Sequence, residues 1–194
     1  MLNGKATVLD FDDLCDGNDP MDDLLRLKKV NPDFRVTLFC IPARTSKAMF
    51  RKYDKMRTWV SLGVHGWRHA RHECLSWTSE ETEAKLAEAL KLYPGFARVF
   101  RAPNWEFCDE VYKGCRNAGF AVADHIRNNP IMPSDMPHYT YNVRLRNDVY
   151  ERKHGHIQNW NGTGLREAFD AYAALKGPFL FVSEAVQDTK ELAV

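Results

Sequence analysis

No window of the 194 residues approaches the roughly 18 consecutive apolar side chains that a membrane span requires. Residues 1–10 lack the basic head, apolar stretch and small-residue cleavage site of a secretory leader. Cysteine is sparse and unpatterned: Cys15, Cys40, Cys74, Cys108 and Cys115 are odd in number, and no two stand as Cys-x-x-Cys. Neither a disulfide framework nor a thiolate zinc site is suggested by that spacing. An excess of one charge is also missing. With 27 Lys and Arg against 26 Asp and Glu, the net charge of +1 supplies no general field for nucleic acid or an anionic membrane. Internal repeats, low-complexity tracts and long linkers are absent. The expectation is a single cytoplasmic domain over 1–194 with reduced thiols and neither nucleic acid nor membrane as a partner. Oligomeric state has no signature in the sequence.

What is present is apolar material in alternation. The chain is 44% hydrophobic, enough for a domain that buries about 70% of its unfolded surface. Short apolar, β-rich runs at 6–11 (ATVLDF), 35–41, 59–64, 99–102 and 120–123 read as buried strands, with further candidates at 139–143, 150–156 and 179–182. Between them, 22–30, 80–92, 107–118 and 165–175 carry apolar residues at helical spacing. Thr78 and Glu81 match a capping box, and Gly119 and Gly177 suit left-handed helix ends. Strands alternating with helices predict an α/β domain, either a barrel or an open sheet, with ligands gathered at the carboxyl ends of the strands.

Polar residues accumulate at those ends: Asp12 and Asp13, His65, Arg101, Asp124, and His154 with His156. Each has a bland reading. The aspartate pair could open a turn ahead of Gly17, the histidines could be surface residues, and Arg101 could form a surface salt bridge beside a core Trp105. His65 and His69 stand four residues apart, a spacing that in a helical turn aims two imidazoles at one point, as metal chelation requires. One carboxylate with two imidazoles forms a facial triad for a divalent first-row ion, zinc by default, with cobalt, manganese, nickel or iron as alternatives. A neighbouring aspartate could then take a proton, which is hydrolytic chemistry. Arg101 could hold an aspartate, and Trp105 could wall a pocket. His154 and His156 share one strand face, and either could protonate a leaving amine.

This pattern resembles the polysaccharide deacetylase family, also called the NodB homology domain or carbohydrate esterase family 4. The family's Thr-Phe-Asp-Asp-Gly is similar to residues 10–14, its His-x-x-x-His to His65 through His69, and its Arg-x-Pro with a following aromatic to Arg101-Ala102-Pro103 with Trp105. Asp124 and His156 resemble the shorter fourth and fifth motifs. The resemblance covers most of the chain. It implies a distorted (β/α) barrel of about seven strands and metal-dependent removal of an acetyl group from an N-acetylated sugar or related small N-acyl compound. Carried over by position, Asp13, His65 and His69 would hold the metal and Asp12 would be the base. Arg101 would orient Asp12, His156 would be the acid with His154 as its alternative, and Asp124 would support Arg101 or the acid. Trp105 and Trp67, with Trp160 nearby, would stack on the sugar.

The chain also departs from the family. Asp10 replaces the threonine, adding a carboxylate on the face of Asp12, and Leu14 replaces the glycine, with Asp16-Gly17 displaced onward, which implies a remodelled first loop. His72 and Glu73 are extra polar candidates. Two other readings stay open: a catalytically silent sugar-binding module on the same fold, and a metallohydrolase of a non-sugar amide.

Overall fold

The central strand is built from ATVLDFDDL, which contains no turn residue and is buried at every position after the first. In the computed structural model, which describes residues 5–125, 136–140 and 150–188, this segment is β1 (Ala6–Leu14). The order continues through α1 (Met21–Val30), β2 (Val36–Cys40), α2 (Lys47–Asp54), β3 (Val60–His65), α3 (Ser79–Leu92), β4 (Val99–Arg101), α4 (Asp109–Asn117) and β5 (Ala121–Asp124). It ends with β6 (Pro137–Thr140), β7 (Tyr150–His156), α5 (Phe169–Ala173), β8 (Phe179–Leu180) and β9 (Gln187–Asp188).

Strand pairing runs β7-β1-β2-β3-β4-β5-β6-β9, and β8 lies against the start of β1 at Thr7 and Val8. All pairs from β7 to β6 are parallel, and β9 runs antiparallel to β6. This is the half-barrel of a distorted (β/α) barrel, as expected. Parallel strands bring their carboxyl ends to one rim, so Asp12, His65, Arg101, Asp124 and His156 arrive together despite their separation in sequence. Beneath them Phe11, Phe34, Leu38, Phe100 and Val122 are fully or almost fully buried in one core. No helix among the described residues is long and apolar enough to cross a membrane.

At α3 the Thr78 half of the expected capping box is present, its side chain accepting from the Glu81 backbone N–H at 3.1 Å. Gly119 adopts the expected left-handed conformation, with φ 70°. Three expectations need correction. The segment KAMFRKYD forms α2, which the apolar pattern did not announce because only Phe50 and Tyr53 are buried. The helix expected over 165–175 shortens to α5, and Gly177 is not left-handed but precedes a cis bond to Pro178. The strand expected at 139–143 is centred earlier, at β6, and its last three positions lie outside the described residues.

Candidate active site

Consecutive residues of a regular strand point to opposite faces, so two adjacent aspartates should not share a site. Here the backbone breaks that rule. β1 pairs with β2 at Asp10↔Thr37 and Phe11↔Leu38, then slips before resuming at Leu14↔Cys40. Within the slip Asp13 sits at φ 78°, a left-handed conformation that costs a non-glycine residue free energy and is retained where surrounding contacts enforce it. The irregularity turns Asp12 and Asp13 into the same cavity of about 290 Å³.

The two histidines reach that cavity by a loop rather than by the expected helical turn. β3 ends at His65, and the chain then bends through left-handed Gly66 (φ 55°) and His69 (φ 60°). A Cβ on Gly66 would come within 2.7 Å of both Pro103 and the Glu73 carboxylate, so only glycine fits. Glu73 holds the loop closed: its carboxylate accepts the backbone N–H groups of Trp67 at 3.2 Å, Arg68 at 2.8 Å and His69 at 2.9 Å. Glu73, an extra candidate in the sequence, thus shapes the loop through its backbone.

Asp13 Oδ1 lies 3.4 Å from His65 Nε2 and 3.0 Å from His69 Nε2. Ligand atoms from these three residues all fall within 4.8 Å of one another. His65 Nδ1 faces the Arg101 carbonyl at 3.1 Å; a carbonyl only accepts, so Nδ1 carries the proton and the Nε2 lone pair points at the carboxylates. Asp13 Oδ1 is buried without a hydrogen bond of good geometry. Acceptor therefore faces acceptor, and something positive must lie between them. Burial alone would raise the Asp13 carboxyl, but the imidazoles of His65 and His69 outweigh it and hold Asp13 well below the usual carboxylate range. Burial would lower His65, yet the charges of Asp12 and Asp13 raise it. A proton can fill this position, and a divalent cation fits the donor set of one carboxylate and two imidazoles.

Arg101 lies behind the aspartates and is wholly buried. Its guanidinium sits between the rings of Phe39 and Trp105, at 3.8 and 4.4 Å from their centroids. Nη1 donates to Asp10 Oδ1 at 2.5 Å and to Asp12 Oδ1 at 2.7 Å. His154, opposite Asp10 in the β1–β7 register, directs Nδ1 to Asp10 Oδ1 at 2.8 Å. The Asp12–Arg101 contact anticipated from sequence is present, and Asp10 joins it.

The remaining candidates divide. His156 lines the cavity, with its ring 5.8 Å from that of Trp160, whereas His154 Nε2 is buried behind it. Trp105 lines the cavity as expected; it and Asn104 have φ 60° and 56°. Trp67, expected beside a sugar, is instead 7% exposed and packed in the core, because the turn at Gly66 directs its indole inward beneath Lys85. Asp124 is fully buried, accepting from the Tyr112 hydroxyl at 2.8 Å and facing His138 Nε2 at 2.7 Å. His72 turns to Glu106 at 3.0 Å. Gln158, which sequence reasoning did not single out, donates to Asp13 Oδ2 at 2.5 Å. A larger groove of about 750 Å³ beside Phe50 and Tyr93 is rimmed by Lys47, Arg51 and Arg57, but the groups that could hold a metal among the described residues lie elsewhere.

No family model matches the chain, and no curated protein matches it in sequence. Solved structures do match. The Bc1960 peptidoglycan N-acetylglucosamine deacetylase aligns with a TM-score of 0.64 at 16% identity, covering 95% of this chain and 89% of that one. The chain has the CE4 fold. A family 4 acetyl xylan esterase from Clostridium thermocellum, solved with a cobalt ion, aligns over 93% of this chain and 89% of its own, with a TM-score of 0.57 and 13% identity. BA3943 of Bacillus anthracis, a CE4 family pseudoenzyme, aligns over 95% of this chain and 66% of its own, with a TM-score of 0.56 and 14% identity. The CE4 fold thus occurs with deacetylase, esterase and silent examples.

Proposed function

We propose that this chain is a metal-dependent hydrolase that removes the acetyl group from an N-acetylated sugar or a related small N-acyl compound. The observation that carries the reading is the convergence of Asp13, His65 and His69 on one point, beside an Asp12 carboxylate gripped by a buried Arg101. A buried Asp13 oxygen without a hydrogen bond, beside two imidazole nitrogens, favours a divalent ion at that point. The Asp12, His154 and His156 group also offers ligand atoms within 4.8 Å, but the charge of its one carboxylate is already paired with Arg101.

Asp13, His65 and His69 would hold the ion, zinc or another first-row divalent metal. When bound, the ion polarises the acyl carbonyl and makes water more acidic. Asp12 is the general base: Arg101 holds Oδ1, and Oδ2 is directed toward His65, 3.7 Å from Nε2. His156, across the cavity on β7, delivers a proton to the departing nitrogen, a role closed to His154 by the burial of its Nε2. Trp105 and exposed Trp160 flank the opening and suit stacking on a sugar face. Asp124 ties α4 to β5 and β6 through Tyr112 and His138. A cavity of about 290 Å³ is at the lower end of ligand pockets and suits one N-acyl sugar ring.

The test is acetate release from N-acetylglucosamine, its short oligomers and non-sugar N-acetyl amides, with zinc or cobalt added and then removed by a chelator. Release that stops with chelation and returns with metal supports the reading, and Asp12→Asn should keep the ion while losing turnover. Stoichiometric metal binding with no release from any substrate favours a silent binding module, a state BA3943 illustrates for this fold.

A further inference from the structure

The first loop of this chain ends in a tight turn in which Gly17 has φ 86° and the Asn18 N–H donates to the Cys15 carbonyl at 2.9 Å. That turn places the Asn18 side chain beneath the site. Asn18 Nδ2 carries two protons and uses both, one on the Asp13 carbonyl at 2.7 Å and one on Gln158 Oε1 at 2.7 Å. The second contact fixes which end of the Gln158 amide points where. With Oε1 accepting from Asn18, Nε2 must face Asp13, and it donates to Oδ2 at 2.5 Å.

The Asp13 carboxylate is thereby divided. Oδ2 is held by an amide, and Oδ1 alone faces His65 and His69. A carboxylate can bind a divalent ion through one oxygen or two, and the choice decides how many positions remain for water and substrate. The chemistry of the clamp also matters. A lysine or arginine here would neutralise the ligand and a glutamate would repel it, whereas a primary amide orients the carboxylate and leaves its charge for the ion.

We infer that Gln158, locked by Asn18, is a positioning residue that restricts Asp13 to a one-oxygen ligand and so sets both metal affinity and the number of open coordination positions. This rests on the metal-site reading above and adds to it Asn18, from the first loop, which departs from the family's first motif, and Gln158, just beyond β7.

The experiment is cobalt titration of the purified protein, read by chelator competition and by the visible d–d absorption of bound Co²⁺. Gln158 is exposed at the rim, so Gln158→Leu should be tolerated by the fold. The expected result is affinity about 10–100-fold weaker, with weaker d–d bands as the second Asp13 oxygen enters and the coordination number rises. Asn18→Ala should shift both readouts in the same direction, and it carries the test if Gln158→Leu fails to fold. Unchanged affinity and spectrum in a folded Gln158 or Asn18 variant, with His69→Ala losing cobalt, would overturn the inference and leave the metal site standing. A folded wild-type chain that binds no cobalt overturns the site itself, and the inference with it.

Discussion

Asp10 and His154 face each other in register across β1 and β7, and one carboxylate oxygen of Asp10 serves both the imidazole Nδ1 and the Arg101 guanidinium. Burial would raise the Asp10 carboxyl, but Arg101 first and His154 second hold it below its ordinary value. A carboxyl lowered in the folded state contributes stability at neutral pH, and that contribution is lost as pH falls below the ordinary carboxylate range. Asp10→Asn removes an anion from a buried cation, so it should cost about 3 kcal/mol, measured as a shift in the urea midpoint at pH 7. The difference from wild type should narrow in acid. Turnover should fall by about 10-fold or more with little change in KM, since Arg101 and the His154 ring would be held less firmly.

Glu73 shapes the proposed metal site through the backbone, its carboxylate bonding only main-chain N–H groups in the contacts described above. Its three backbone contacts set the path that carries His69 to Asp13. Glu73→Gln keeps the size but turns one acceptor into a donor that faces a backbone N–H. Metal affinity should fall by about 10–100-fold while β-sheet circular dichroism is retained. Wild-type zinc affinity in this variant would show that the loop holds its shape unaided.

Legibility followed what the sequence pattern encodes. Asp12, His65 and Arg101 could be picked out as candidates because each stands at the end of an apolar run, and His156 because it ends a candidate strand with a second histidine on its face; the rule that parallel strands share a functional rim needs no coordinates. Asp13 was readable only as a neighbour of Asp12, since nothing in Asp-Asp announces φ 78° or the slipped register that unites the two side chains. The histidine spacing was read as helical, and the pair does converge, but by left-handed residues and Glu73. The same turn sends Trp67 into the core, which a count of exposed aromatics could not foresee. Asp124 was legible as a polar strand end, while its pairing with His138 depends on β5 lying beside β6. Gln158 has no motif at all; its contact with Asp13 spans 145 positions and exists only because β7 lies beside β1.

Away from the site, Asp19 ties the start of α1 to α2. Its Oδ1 accepts from the Tyr53 hydroxyl at 2.7 Å and the Met21 N–H at 3.1 Å, and Oδ2 pairs with Lys52. Burial would raise its carboxyl, but Lys52 and Tyr53 hold it lower. The sign is therefore that of a lowered acid: stabilising above the ordinary carboxylate value and lost below it. Asp19→Asn should cost about 1 kcal/mol at pH 7, a figure kept small by solvent screening. In urea melts the gap between variant and wild type should shrink as pH falls below the ordinary carboxylate range. A gap independent of pH would assign the effect to packing.

His156 provides the sharpest division between the proposed steps. An amide expels a basic nitrogen that must be protonated as it leaves, whereas an activated acetyl ester expels an anion that needs little help. If His156 supplies that proton from its place on the cavity wall, His156→Ala should reduce acetate release from an N-acetyl sugar by about 10²–10⁴-fold and hydrolysis of p-nitrophenyl acetate far less. Asp12→Asn should depress both, because attack by water precedes either departure. Equal losses on both substrates in His156→Ala would move His156 from proton donor to a role in binding or in shaping the cavity. Zinc content measured in the same preparations distinguishes that outcome from loss of the ion.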